Sequence, residues 1–149
     1  MSFLLLVVLA VCGEAKYFDN NLDLLVELYK QNFRSDLIPA LVCIVNTGSR
    51  GKTDFHQEYL DGSQEFGLFQ INDTWCGLNY RKGGECQLSC ADLLKNNITL
   101  ASKCAKKIYK RQSFMAWKTW RDHCRNKKKD VFIPMTLLNS SYLDETTMR

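Results

Sequence analysis

Long apolar runs are scarce in this sequence. The one that stands out, residues 3–12, is ten residues long, about half of what a helix needs to cross a bilayer. It is too short to be a spanning anchor. Histidine is scarce too, with His56 and His123 the only two among 149 residues. Cysteine offers a single tight pair, Cys86-x3-Cys90. That spacing suits zinc, but two histidines and no second tight pair leave the ligand set incomplete. No metal and no cofactor is therefore expected. There is no internal repeat, no linker that splits the chain, and no nucleic-acid motif beside the basic residues. Apolar residues are not lacking: 46% of the chain is hydrophobic and 24% charged, which excludes a disordered polypeptide and is enough for one soluble domain.

The apolar run has another use. Gly13-Glu14-Ala15 places small residues at the −3 and −1 positions of a signal-peptidase site. Residues 1–15 read as a secretory signal, although no Lys or Arg precedes the apolar stretch. Removing it takes Cys12 away. The remaining Cys43, Cys76, Cys86, Cys90, Cys104 and Cys124 are an even set, suited to three disulfides in an oxidising compartment. Six cysteines can pair in fifteen ways, and spacing alone does not choose among them. A secreted, extracellular protein is expected.

Charge is uneven. Residues 16–100 carry a slight acidic excess and residues 101–149 a strong basic one. The basic part admits an anionic surface as a partner, although its lysines fall mainly on solvated helix faces. Specific nucleic-acid binding is not expected.

Periodicity predicts the elements. Leu22, Leu25, Leu28 or Tyr29, and Phe33 predict an amphipathic helix over residues 20–33. Ser35 or Asp36 is placed to cap a second helix, with Pro39 in its first turn. That helix carries Leu41, Val42, Cys43 and Val45 and ends near Gly48, where a glycine can turn left-handed. Asp61-Gly62 predicts a hairpin turn, residues 65–72 a strand, and residues 75–84 a loop. Ser89 with Asp92 resembles a capping box. Leu100, Cys104 and Ile108 predict a third helix over 99–111. A short fourth covers 115–125, with Trp117 and Trp120 three apart. Residues 136–149 read as a polar, disordered tail. Helix, helix, small sheet, helix, helix is an α+β order.

These residues carry a resemblance. Phe66-Gly67-Leu68-Phe69-Gln70-Ile71-Asn72 resembles the strand signature of the c-type lysozyme and α-lactalbumin family (glycoside hydrolase family 22). So do Cys76, Cys86-x3-Cys90, Cys104-Ala105-Lys106-Lys107 and Ala116-Trp117-x2-Trp120-Arg121-x2-Cys124. The likeness spans residues 16–135. It implies a lysozyme-like fold, a helical lobe beside a small antiparallel sheet, and the pairs Cys43–Cys124, Cys76–Cys90 and Cys86–Cys104. The Cys43–Cys124 bridge would contribute on the order of 4 kcal/mol. The family's fourth bridge lacks both members here, at a cost of about 2–5 kcal/mol.

The resemblance also sets the expected chemistry. Lysozyme is the type case of hydrolysis by two carboxyl groups, one a general acid of raised pKa and one a nucleophile or stabiliser. The general acid stands five residues after the cysteine matched by Cys43. That position is Gly48, which has no proton to give. The second carboxylate is an Asp in the family and Glu65 here, longer by a methylene. Glu58, the first glutamate after Gly48 in sequence, is not expected to replace the acid. Losing a general acid costs about 10²–10⁴-fold in rate. The sequence thus reads as a lysozyme-like protein that has lost muramidase chemistry.

Gln70, Asn72, Trp75, Ala116 and Trp117 match family positions that line the sugar cleft, so retained binding of N-acetylated glycans, peptidoglycan or a chitin-like oligosaccharide, is expected. Trp117 and Trp120 equally suit a core role. The segment from Asn72 to Cys76 is one residue shorter than usual and lacks an aromatic before Trp75. Lys95, Asn96, Asn97, Leu100 and Ala101 stand where α-lactalbumin has its calcium aspartates, so no calcium site is expected. Val45, Asn46 and Thr47 replace its galactosyltransferase-partner motif. Asn72, Asn97 and Asn139 each open a glycosylation sequon. Two alternatives stay open beside the glycan-binding monomer: a weak or altered hydrolase of β-1,4 bonds in peptidoglycan, and a cationic antimicrobial or partner-binding protein.

Overall fold

The computed structural model describes residues 15–127. The signal reading, apart from Ala15, falls outside the described residues together with Cys12, the tail at 136–149 and the Asn139 sequon.

Helix α1 runs Asn21–Lys30. Asn20 opens it, its side-chain oxygen accepting from the Asp23 backbone N–H at 2.9 Å, which satisfies one of the orphan donors of the first turn. The buried stripe is Leu24, Leu25 and Leu28. Leu22, expected inside, is 53% exposed. The helix also ends before Phe33, because Asn32 takes φ 57° and turns the chain out. Phe33 is buried all the same.

Helix α2 runs Ile38–Gly48, with Pro39 in its first turn. Neither Ser35 nor Asp36 caps it. Leu37 holds that place without a side-chain bond, and Asp36 pairs with Arg34 at 2.7 Å. Nor does Gly48 turn left-handed. It remains helical, and the reversal falls on Arg50 (φ 55°) and Gly51 (φ 79°). Ile38, Leu41, Val42, Ile44 and Val45 are buried.

A three-stranded antiparallel sheet follows in the order β1 (His56–Glu58), β2 (Gln64–Phe66) and β3 (Ile71–Asn72). The β1–β2 turn lies at Asp61-Gly62 as expected. Gly62 has φ 84°, and the Asp61 carboxylate accepts from the Ser63 backbone N–H at 2.9 Å and from its hydroxyl at 2.6 Å.

The strand expected over 65–72 is instead two strands joined by a buried turn. Phe66, Leu68, Phe69 and Ile71 are all buried, so the segment lacks the one-face alternation of a half-exposed strand. Gly67 (φ 74°) and Gln70 (φ 50°) reverse it.

The capping box forms as expected: the Ser89 hydroxyl accepts from Ala91 N–H, and Asp92 reaches back to Ser89 N–H, opening a 3₁₀ turn at Cys90–Leu94. The expected loop over 75–84 begins one residue late, since Trp75 closes a 3₁₀ turn, Asp73–Trp75.

Helix α3 runs Thr99–Gln112 and buries Ala101, Ser102, Cys104, Ala105 and Ile108. Leu100, expected on that face, is 37% exposed. The fourth helix is a 3₁₀ turn, Ser113–Ala116, and a π-helical turn, Trp120–Cys124, with Trp117 between them.

Three disulfides form, Cys43–Cys124, Cys76–Cys90 and Cys86–Cys104. The first ties α2 to the Trp120–Cys124 turn across 81 positions. It holds the Trp120–Cys124 turn against the middle of α2.

Candidate active-site cleft

A polar cavity of about 350 Å³ lies among the end of α2, the sheet and the C-terminal turn. Gly48, Glu65 and Gln70 line it together. A larger cavity, about 730 Å³, is bordered by apolar side chains such as Leu37, Val42, Phe114 and Trp120. It contains none of the expected catalytic or sugar-binding residues, so the chemistry is sought in the smaller one.

Glu65 sits in the middle of β2, between Gln57 of β1 and Asn72 of β3. It is only 5% exposed. The Tyr59 hydroxyl, just past the end of β1, donates to its Oε2 at 2.7 Å. Burial raises the Glu65 pKa, because a carboxylate loses hydration there. The Tyr59 hydrogen bond and the charges of Lys118 and Arg121 oppose that shift, while Asp122 adds to it. Burial and the neighbouring Glu65 in turn push the Tyr59 hydroxyl above its ordinary range.

A raised carboxyl pKa means that the folded state holds the Glu65 proton more tightly than the unfolded one. Ionised Glu65 therefore costs stability above its folded pKa, and the cost fades as pH falls through that pKa toward the unfolded value. Glu65→Gln should accordingly be more favourable relative to the native chain at pH 7 than at pH 4. Urea unfolding of both proteins at the two pH values reads the difference, and a gap that does not shrink on acidification would contradict the burial argument.

Position 48 is crowded. A Cβ built on Gly48 would lie 3.0 Å from Gln70 Cγ and 3.3 Å from Thr119 Oγ1. Gln70 has little freedom to withdraw. It is 3% exposed, and its amide donates to the Phe55 and Gly67 carbonyls at 3.2 and 2.9 Å. Its amide N–H groups are thus spent on the turn that carries it.

The second carboxylate in the cavity is Asp122, not Glu58, which is absent from the lining. Asp122 comes from the C-terminal turn and meets Lys118 Nζ at 2.5 Å. That hydrogen bond lowers its pKa, so it is held as the anion.

Of the other expected ligand residues, none lines this cavity. Asn72 is half-buried and caps the following turn, accepting from Thr74 N–H at 3.0 Å. Trp75 and Trp117 are buried, and Ala116 is half-buried. Trp117 donates its indole N–H to the Phe69 carbonyl at 2.8 Å, the core role that the sequence left open.

Sequence reasoning missed Tyr59, Lys118, Thr119 and Asp122. The 118/122 spacing is a helical i, i+4 pair that the charge pattern does carry. Tyr59 reaches Glu65 only through the hairpin register. Among the described residues no group of three or more His, Cys, Asp or Glu gathers to hold a metal. Lys95, at the calcium-loop position, reaches Asp92 at 2.7 Å.

Residues 20–132 match the C-type lysozyme/alpha-lactalbumin family. A lysozyme of Galleria mellonella is 47% identical over 107 residues, 70% of this chain and 88% of that protein. A lysozyme of Bombyx mori is 44% identical over 127 residues, 85% and 92% respectively. Among solved structures, a lysozyme from Litopenaeus vannamei superposes with a TM-score of 0.67 at 29% identity, covering 78% of this chain and 93% of that one.

Proposed function

The chain belongs to the C-type lysozyme/alpha-lactalbumin family, and from that premise we propose that it is a secreted, monomeric protein that binds N-acetylated glycans in its cleft and no longer hydrolyses peptidoglycan. One observation carries the reading. At the general-acid position there is a glycine, and Gln70 and Thr119 close in on the space where a side chain would begin.

A general acid must hold a proton and reach the leaving oxygen. Asp122 stays ionised beside Lys118, so it supplies no proton. Glu65 is the one carboxyl group left at a family catalytic position, and it is tied to Tyr59. A polar cavity with Gln57, Tyr59 and the Glu65 carboxyl on its wall still suits hydroxyl and acetamido groups. Secretion draws on the three disulfides, which belong to an oxidising compartment.

A second reading, a weak or altered β-1,4 hydrolase, draws on the raised pKa of Glu65. Titration with an N-acetylglucosamine tetramer and a peptidoglycan turnover assay, on the refolded oxidised chain, separate the two. Binding without turnover is expected. Turnover at a lysozyme-like rate that vanishes in Glu65→Gln would establish the second reading. Failure to bind would overturn the first.

A further inference from the structure

We propose that Asn97 carries an N-linked oligosaccharide, placed so that it leaves the cleft open. The inference rests on the secretory part of the reading above, since the modification needs passage through the secretory pathway. Asn97-Ile98-Thr99 has the acceptor pattern, and the fold supplies the rest.

Asn97 is exposed, in the bend between the Cys90–Leu94 turn and α3, while the next residue, Ile98, is buried and anchors the segment. The Asn97 side-chain oxygen accepts from the Thr99 backbone N–H at 3.0 Å. This Asx turn fixes the amide with its oxygen engaged against its own backbone. Its nitrogen, the atom to be modified, makes no hydrogen bond among the described residues. None of residues 95–99 lines the cleft.

Asn72 is the contrasting case. It has the same pattern and a similar turn bond, but it lies half-buried in β3, paired with Glu65. A bulky hydrophilic group there would have to share the edge of the site with the residues that bind. Asn97 is exposed and stands outside the cleft lining.

The transfer balances without an oxidant. The donor is an oligosaccharide linked through a diphosphate to a lipid. The Asn97 Nδ2–C1 bond forms and the C1–O bond to the diphosphate breaks. The lipid diphosphate leaves with the bonding pair, and one amide proton is released.

The test is to express the full chain, with its own residues 1–15, in a eukaryotic secretory host. Material from cells and medium is treated with peptide-N-glycosidase in heavy-oxygen water, and labelled Asn-to-Asp conversion is mapped by peptide mass. Conversion at position 97 is expected in the native chain and in Thr99→Ser, and its loss in Thr99→Ala. An unconverted Asn97 in both cells and medium overturns the proposal, whether because the chain never enters the pathway or because the site is not used.

The tetramer titration on glycosylated and enzymatically stripped protein tests the placement. Equal affinities are expected, and a tenfold gain on stripping would contradict an open cleft. A chain that is modified at Asn97 but binds no tetramer in either form would leave this proposal standing and remove the glycan-binding one.

Discussion

Gly48→Glu combined with Glu65→Asp and Thr119→Ala should raise peptidoglycan hydrolysis about 10²–10⁴-fold over the native chain, the range a general acid supplies. Each change answers one feature of the cleft. Gly48→Glu restores the proton donor. Glu65→Asp draws the second carboxylate back by a methylene, which matters because a displacement of about 1 Å can cost about 10²-fold. Thr119→Ala removes the hydroxyl that stands 3.3 Å from the new Cβ. The neighbouring Gln70 Cγ, at 3.0 Å, must still yield by a few tenths of an ångström while the Gln70 amide keeps its carbonyl partners. The double change without Thr119→Ala should therefore recover less. Initial rates on suspended cell walls, read beside tetramer affinity, decide the matter. Intact binding with no gain in rate would mean that more than the two carboxyl positions has been lost.

Gly67→Ala should cost about 3–5 kcal/mol, which places it among the largest single-residue effects. A methyl group on Gly67 would sit 1.9 Å from the Leu93 carbonyl oxygen, a backbone atom that cannot rotate away. The residue also has φ 74°, where an L side chain is strained by about 1–3 kcal/mol. For a domain of this size the midpoint of thermal unfolding should fall by more than about 10 °C. Gly62→Ala is the control: its φ is 84°, but nothing lies within 4 Å of the added carbon. It carries the backbone strain without the collision and should lose distinctly less. Equal losses at the two positions would show that packing against Leu93 is not the cause.

Much of the architecture can be read from local pattern. The spacing of leucines places α1, the Ser89–Asp92 pair places a capped turn, and the cysteines pair as the family resemblance implied. Errors arise where a pattern of one period is buried on every side. Residues 65–72 look like one strand because their apolar residues are dense, whereas the chain reverses at Gly67 and Gln70 and the Leu93 carbonyl leaves no room for a side chain at position 67. Leu22 and Leu100 obey helical spacing, but they sit one step off the stripe that meets the core. The site is legible by halves. Gly48, Glu65 and Gln70 converge because each follows from a motif. Tyr59 and Thr119 enter through contacts between segments far apart in sequence, and no periodicity announces such contacts. Asp122 and Lys118 stand four residues apart, a spacing that gives no sign that they share a cavity with Glu65.

The hydrogen bond from Trp117 to the Phe69 carbonyl links the last helical turns to the β2–β3 turn across 48 positions. Its donor is an indole proton, distinct from every backbone amide in a nuclear magnetic resonance spectrum. That proton can exchange with water only when the two segments part. Trp117 thus makes the molecule its own timepiece: the lifetime of one resonance measures how often the sheet and the C-terminal turn let go of each other.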